Sequence, residues 1–253
     1  MAELGPRAGS PAVHRAARVL SELAAHDEAL SVSELSRRLG LPKSSLADLV
    51  GVLVHEGMLA RDLDARVRLG GRIRLIARGL VGGSPLLEVF ARACAEVREL
   101  EGRTLVLAVL LDLDAAYLAV RPGARPLPLT LRPGVRLPAW STGTGRALLS
   151  ALPHDAVERM HSGWVPESPS GHPFRLRELL DSTALARARG YASNAELGEM
   201  ALAGTAAVVQ GLRGCVAAVG SIVALDEPGR ADGDTDAEAV RTLARRLAEL
   251  IEA

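Results

Sequence analysis

The feature that most constrains the fold is a change in hydrophobic spacing at Gly57. Before it, apolar residues recur at helical intervals, and after it they fall in short alternating stretches. Three helices are predicted upstream: the first from Val13 to about Asp27, the second from an N-cap at Ser33 to Gly40, and the third from near Lys43 to Gly57.

Residues 58–61 and 66–69 are predicted as two strands around a turn at residues 62–65. Two strands after three helices are typical of a wing, and residues 73–80 are predicted as a linker helix. The expected domains are a disordered tail at 1–10, a winged helix-turn-helix domain at 11–70, a linker helix segment at 71–83 and a second domain at 84–253.

Two helices joined by a short Gly-containing turn favour DNA binding, because the second helix of such a unit enters the major groove. The third predicted helix begins with Lys43, Ser44 and Ser45, which suit phosphate contact beside free N–H groups. Asp48 lies on the same outward face, where it is repelled by phosphate or accepts from a cytosine amino group. The predicted DNA-contacting residues are Ser33, Lys43, Ser44, Ser45, Asp48, Arg61, Arg66 and Arg68.

The bulk composition excludes several classes. Net charge is zero, but residues 11–83 carry 11 Arg or Lys and 8 Asp or Glu, a weak indication that the first domain meets an anion. The chain has neither a signal-like leader nor a sufficiently long apolar run, so a cytoplasmic protein without a membrane span is expected. The two cysteines and six histidines match no metal or disulfide pattern, so no metal and no cofactor are expected.

The second domain is predicted to be α+β. The helices are expected at residues 86–100, 143–152, 155–161, 175–189 and 236–251, and the strands at 105–111, 115–120, 127–131, 205–209 and 216–223. Residues 142–146 form a Gly-rich helix entry, which either holds an anion or carbonyl or is simply structural. Cys215 is expected to be a small core residue.

Four segments resemble the IclR family of bacterial regulators: ALSVSELSRRLGLPKSS at 29–45, the wing ending in Arg68-Leu69-Gly70, RPLPLTLRPGVRLPAWSTGTGRALLS at 125–150, and Arg189-Gly190-Tyr191. The resemblance covers residues 11–253. It implies a GAF-like effector-binding domain, a dimer or dimer of dimers, palindromic promoter sites in double-stranded DNA, and a small-molecule effector. Matching the family motifs implies an effector site of Leu129, Thr142, Gly143, Thr144, Asn194, Gly204 and Ser221.

The sequence departs from the family pattern at several of these places. Ala47-Asp48 stands where the family commonly has His-Arg, and Gly204 stands where a cysteine is frequent. Two polar serine positions of the family fall near Gly220 and Ile222. The acidic turn of the family is thinned to Asn194-Ala195-Glu196. The departures in the second domain indicate a less polar and roomier pocket than one built for a small carboxylate, and Ala47-Asp48 bears instead on DNA affinity and sequence preference.

Two alternatives remain beside a ligand-responsive DNA-binding regulator. Asp48 and the modest charge of the first domain favour a sensing or partner-binding module that has lost DNA binding. An enzyme is the other alternative, but no catalytic constellation in the sequence supports it, so no enzymatic activity is expected.

Overall fold

A computed structural model describes residues 10–26, 28–80, 86–163, 174–194, 202–210, 217–224 and 233–252. The chain divides into two compact units, Met1–Leu80 and Val81–Ala253. Cys215 and most of the Pro/Ser-rich segment at 166–174 lie outside the described residues. Within the described residues no helix is both long enough and apolar enough to cross a membrane.

The first unit contains the three helices and two strands that hydrophobic spacing predicted. They are α1 (Pro11–Ala24), α2 (Val32–Leu39), α3 (Lys43–His55), β1 (Leu59–Arg61), β2 (Val67–Leu69) and α4 (Gly71–Leu80). The apolar residues at i, i+3, i+4 and i+7 of α3, which the sequence predicts to form its core stripe, face inward: Leu46, Val50 and Leu53 are buried and Leu49 is half-buried. One part of the wing was not predicted: Leu30 pairs with Val67 through two backbone hydrogen bonds of 3.0 and 2.8 Å, and so extends the hairpin.

The prediction that Ser33 caps α2 is wrong. Ser31 is the N-cap: its hydroxyl accepts from the Glu34 N–H at 3.2 Å, and the Glu34 carboxylate accepts from the Ser31 N–H at 2.7 Å. This capping box requires Glu three residues after the cap. Ser33 has Ser36 at that position, so it lies inside the first turn as an exposed residue.

The second unit is α+β, as predicted. Its helices are α5 (Leu86–Glu96), α6 (Gly143–Ser150), α7 (His154–His161), α8 (Leu176–Arg189) and α9 (Gly233–Glu252); its strands are β3 (Thr104–Leu111), β4 (Asp114–Arg121), β5 (Arg136–Pro138), β6 (Ala192–Asn194), β7 (Leu202–Val209) and β8 (Ala217–Ala224). The predicted helix at 86–100 ends at Glu96 and is followed by a separate 3₁₀ turn at Arg98–Leu100. The strands form one antiparallel sheet in the order β5-β4-β3-β8-β7-β6.

Helices cover both faces of this sheet. On one face α5 and α9 pack on a core that includes Leu105, Leu107 and Val219. On the other, α6 and α8 pack near Val106, Tyr117 and other mostly small side chains. Because successive strand residues point to opposite faces, each core draws on alternate positions of the same strands.

The predicted strand at residues 127–131 is wrong. Residues 127–131 lie outside the sheet ladder, and their alternation instead places Leu127, Leu129 and Leu131 half-buried against the α6 side of the sheet. An alternating pattern reports which side chains face an apolar surface, but not whether the backbone pairs with another strand. The two three-residue edge strands, β5 and β6, were missed because they are too short to show a period.

Candidate nucleic-acid interface and effector site

The start of α3 is open to solvent. Its N-cap is Pro42, which provides no side-chain acceptor for the first N–H groups. Lys43, Ser44 and Ser45 are all exposed there. An uncapped helix start with exposed hydroxyls and a lysine suits a phosphate oxygen, because the free N–H groups point toward it and the helix dipole favours negative charge.

The outward face of α3 carries small side chains and one acid. Ala47, Asp48 and Gly51 are exposed on the face opposite the buried stripe, and Asp48 lies on the outward face as predicted. Asp48 forms no ion pair with any described residue, so no described residue neutralises its negative charge on this face. A cytosine amino group is a suitable partner for it, whereas a phosphate is not.

The wing holds its arginines in different ways. Arg66 binds Glu34 with both carboxylate oxygens 3.1 Å from Nη2, and its Nη1 lies 3.5 Å from the Ala29 carbonyl oxygen. Arg61 donates to the Ala65 carbonyl oxygen across the turn, at 3.3 Å. Arg68 is exposed, and no described residue pairs with it. Arg66 is therefore held by an ion pair within the first unit, whereas Arg68 is not.

The Arg66–Glu34 pair joins the wing to the start of α2. Hydrogen bonds from the backbone and hydroxyl of Ser31, followed by the charge of Arg66, lower the pKa of Glu34 to about 2. Glu34 therefore stays ionised at all ordinary pH values. Arg66 therefore ties the hairpin to α2, whereas Arg61 and Arg68 pair with no described carboxylate.

The predicted effector residues Thr142, Gly143 and Asn194 meet at the start of α6. Thr142 is the N-cap, and its hydroxyl accepts from the Gly145 N–H at 2.8 Å. The Asn194 side-chain oxygen accepts from the Gly143 N–H at 2.9 Å, and its NH₂ donates to the Ser141 carbonyl oxygen at 3.1 Å. The first N–H groups of α6 are thus partly satisfied from within, so a ligand here meets side chains more than open N–H groups.

Glycines let α6 lie directly on the sheet and on the preceding turn. A Cβ on Gly143 would stand 2.5 Å from the Gly204 carbonyl oxygen, and one on Gly145 would stand 2.2 Å from the Ala139 carbonyl oxygen. A Cβ on Gly220 would meet the Thr144 hydroxyl at 3.3 Å. Gly204 and Gly220 therefore both face the start of α6, and Thr144 lies over Gly220.

Tyr117 is a candidate that sequence reasoning missed. Its side chain is fully buried on the α6 face of the sheet, and its hydroxyl has no hydrogen-bond partner among the described residues. Burial raises the pKa of Tyr117; the hydroxyls of Thr144 and Thr142 are near enough to lower it in part, but neither reaches hydrogen-bonding geometry. The only available signal was a tyrosine within an otherwise aliphatic strand.

Grouping Ser221 with this set is wrong. Ser221 pairs with Thr205 across β7 and β8. Each of these two residues follows a glycine that faces α6, so Ser221 points to the opposite face of the sheet, toward α9. There its hydroxyl donates to Asp236 at 3.4 Å, and Asp236 pairs with Arg103 at 3.6 Å. Leu129, in contrast, is half-buried against the core that includes Tyr117.

The described residues contain no cluster of three or more His, Cys, Asp or Glu placed to share a metal ion. Cys94 is buried on the α5 side, where burial raises the pKa of its thiol to about 12. It therefore remains protonated and unreactive at neutral pH.

Comparison with known proteins identifies both units. Residues 12–63 match the IclR helix-turn-helix domain, and residues 79–249 match the C-terminal domain of the bacterial transcriptional regulator IclR. The HTH-type transcriptional regulator TtgV of Pseudomonas putida is 27% identical over 194 residues, which span 76% of this chain and 73% of TtgV.

Two crystal structures are similar over nearly the whole chain. An IclR homologue from Microbacterium hydrocarbonoxydans, complexed with 4-hydroxybenzoate, is 26% identical with a TM-score of 0.74, covering 95% of this chain and 99% of that one. The Agrobacterium tumefaciens repressor BlcR is 28% identical with a TM-score of 0.60, covering 96% of this chain and 97% of BlcR.

These families and relatives are transcriptional regulators and not enzymes, which confirms the expectation that the chain has no enzymatic role. The first unit corresponds to their DNA-binding domain and the second to their effector domain. The chain belongs to the IclR family of bacterial transcriptional regulators.

Proposed function

We propose that this regulator acts in the cytoplasm, where it binds a palindromic promoter site in double-stranded DNA as a dimer or dimer of dimers. A small organic molecule bound in its second unit alters this DNA binding. The observation that carries the proposal is the uncapped start of α3, with Lys43, Ser44 and Ser45 exposed. Arg68 of the wing adds a second free cation in the same unit.

Self-association is supported by apolar side chains on the surface of the first unit. Val13 of α1 is 68% exposed, and Leu75 and Ile76 of α4 are 65% and 50% exposed. Leu75 and Ile76 are adjacent in sequence, and exposed apolar side chains grouped in this way favour burial against another chain. A dimer places two recognition helices on the two halves of a palindrome.

The effector is proposed to bind beside the start of α6, among Leu129, Thr142, Gly143, Thr144, Asn194 and Gly204, with Tyr117 added and Ser221 removed. The buried Tyr117 hydroxyl supplies a donor for an oxygen of the ligand. A ligand changes DNA binding only through a difference in its affinity for the DNA-binding and non-binding arrangements of the dimer. The complex of a relative with 4-hydroxybenzoate makes that compound the first probe.

The experiment is selection of genomic fragments by the full-length chain, with and without 4-hydroxybenzoate and other small organic acids. Enrichment of a few palindromic fragments supports the proposal, and recovery of random fragments only contradicts it. An effector is identified when a compound changes the affinity for a selected fragment and the Tyr117→Phe variant responds less.

The second candidate function is a sensing module that has lost DNA binding, favoured by the exposed Asp48 on the outward face of α3. Asp48→Arg separates the two proposals. If the wild-type chain binds no duplex and Asp48→Arg binds duplexes of any sequence, the second candidate is correct. If the wild-type chain binds selected fragments and the substitution changes its preference, the first is correct.

A further inference from the structure

A small cleft of about 190 Å³ opens in the second unit between α6, α8 and the start of β6. None of the candidate effector residues lines this cleft, and from β6 it is lined by Ala192 and the exposed Ser193. Its polar lining consists of Arg146, Arg189, Ser182, Ser193 and Tyr191.

Arg146 carries a largely buried charge that the described residues only partly compensate. Its Nε donates to the Trp140 carbonyl oxygen at 2.9 Å, but it forms no ion pair with a described carboxylate. Burial lowers the pKa of Arg146, and the exposed Glu178, which raises it, pairs with Arg175 at 3.5 Å. A guanidinium has five N–H donors, so most of its donors remain available.

Arg189 supplies a second cation at the rim. It lies in the last turn of α8, is exposed, and pairs with no described carboxylate. The next charged groups toward α9 are Arg241, whose Nε would lie 3.4 Å from a Cβ on Gly190, and its ion-pair partner Glu238 at 3.0 Å. These two charges offset each other, so the cleft keeps the positive charge of Arg146 and Arg189.

We propose that this cleft binds a small oxyanion, a phosphate or a carboxylate, held by Arg146 and Arg189. A guanidinium matches the two oxygens of such a group with paired, charge-assisted hydrogen bonds. The exposed Ser193 hydroxyl is a further donor at the rim. The volume lies below the range typical of drug-sized ligands, so the cleft takes an anion of phosphate size and excludes a nucleotide. This site does not depend on the proposed function of the chain.

The test is calorimetric titration of the full-length chain with inorganic phosphate, and separately with acetate, at constant ionic strength set by chloride. Saturable binding of either anion is expected, and the two titrations distinguish a phosphoryl from a carboxylate ligand. Arg189→Gln should weaken binding by roughly tenfold or more, since a hydrogen bond to a charged group is lost. Arg189 is exposed, so this variant should fold normally.

Arg177→Gln is the matched control, because Arg177 is also an exposed arginine of α8 but does not line the cleft. It should leave the anion affinity within about twofold of wild type. Arg146→Lys, which keeps the charge but loses the planar fork, should weaken binding as Arg189→Gln does. The proposal is overturned if neither anion binds saturably at tens of millimolar, or if Arg177→Gln weakens binding as much as Arg189→Gln.

Discussion

Removing the buried hydroxyl of Tyr117 is expected to raise the stability of the ligand-free protein, not to lower it. Tyr117 is fully buried and its oxygen lacks a hydrogen-bond partner among the described residues. Burying an unsatisfied polar group costs about 1–3 kcal/mol. Tyr117→Phe removes that group and leaves the ring in place, so it should stabilise the ligand-free protein by about 1 kcal/mol. For a unit of this size the melting temperature should rise by about 2–4 °C.

The assay is differential scanning calorimetry of the ligand-free chain. Thr183→Val is the control, because the Thr183 hydroxyl is also buried but donates to the Leu180 carbonyl oxygen at 3.0 Å. That substitution removes a satisfied hydrogen bond and should lower stability by about 1 kcal/mol. The two variants are therefore expected to change the melting temperature in opposite directions.

A loss of stability in Tyr117→Phe as large as that in Thr183→Val would refute the reasoning. It would mean that the Tyr117 hydroxyl is already bonded in the free protein, for example to Thr144, and is not held open for a ligand. A gain in stability together with a weaker response to effector would instead show that the protein keeps an unsatisfied donor for its ligand.

Three further predictions concern single contacts. Glu34 has a pKa of about 2 in the folded protein against an ordinary 4.5, so its stabilising contribution is complete above pH 4.5 and is lost as pH falls toward 2. Glu34→Gln should flatten the pH dependence of the free energy of unfolding, measured with denaturant, in that window. An unchanged pH dependence would contradict this. Gly145→Ala should destabilise the chain by about 1–3 kcal/mol, because its Cβ would overlap the Ala139 backbone. Gly51→Ala, with open space around its Cβ in α3, should be neutral or slightly stabilising, and equal effects of the two in thermal unfolding would count against the close packing of α6. Asn194→Ala leaves the Gly143 N–H without its acceptor and should cost about 1–3 kcal/mol, whereas an unchanged melting temperature would show that water replaces the amide.

The helices and most strands could be predicted from sequence because their apolar residues follow a regular period. The stripe of α3 at Leu46, Leu49, Val50 and Leu53 repeats at helical spacing and faces the core as predicted. Residues 127–131 alternate apolar and exposed side chains as a strand would, but whether a segment pairs into a sheet depends on neighbours that the local sequence does not reveal.

The site residues were less predictable because their roles depend on partners distant in sequence. Arg66 was predicted to contact DNA from the wing, but its guanidinium binds Glu34, which lies 32 residues away in the sequence. Ser221 lies one residue from the position that faces the start of α6, and a shift of one in a strand moves a side chain to the other face. Tyr117 has no motif of its own, so only its burial and its unpaired hydroxyl identify it.

The salt dependence of operator binding tests the central claim most directly. For a selected duplex the logarithm of the binding constant should fall linearly with the logarithm of salt concentration, by roughly 0.9 per phosphate neutralised. Lys43→Ala and Arg68→Ala should each make this slope shallower by roughly 0.9, the contribution of one neutralised phosphate. Arg66→Ala should weaken DNA binding with little change in the slope. A flat salt response of the wild-type chain, or equal slope changes for Arg66→Ala and Arg68→Ala, would contradict the account.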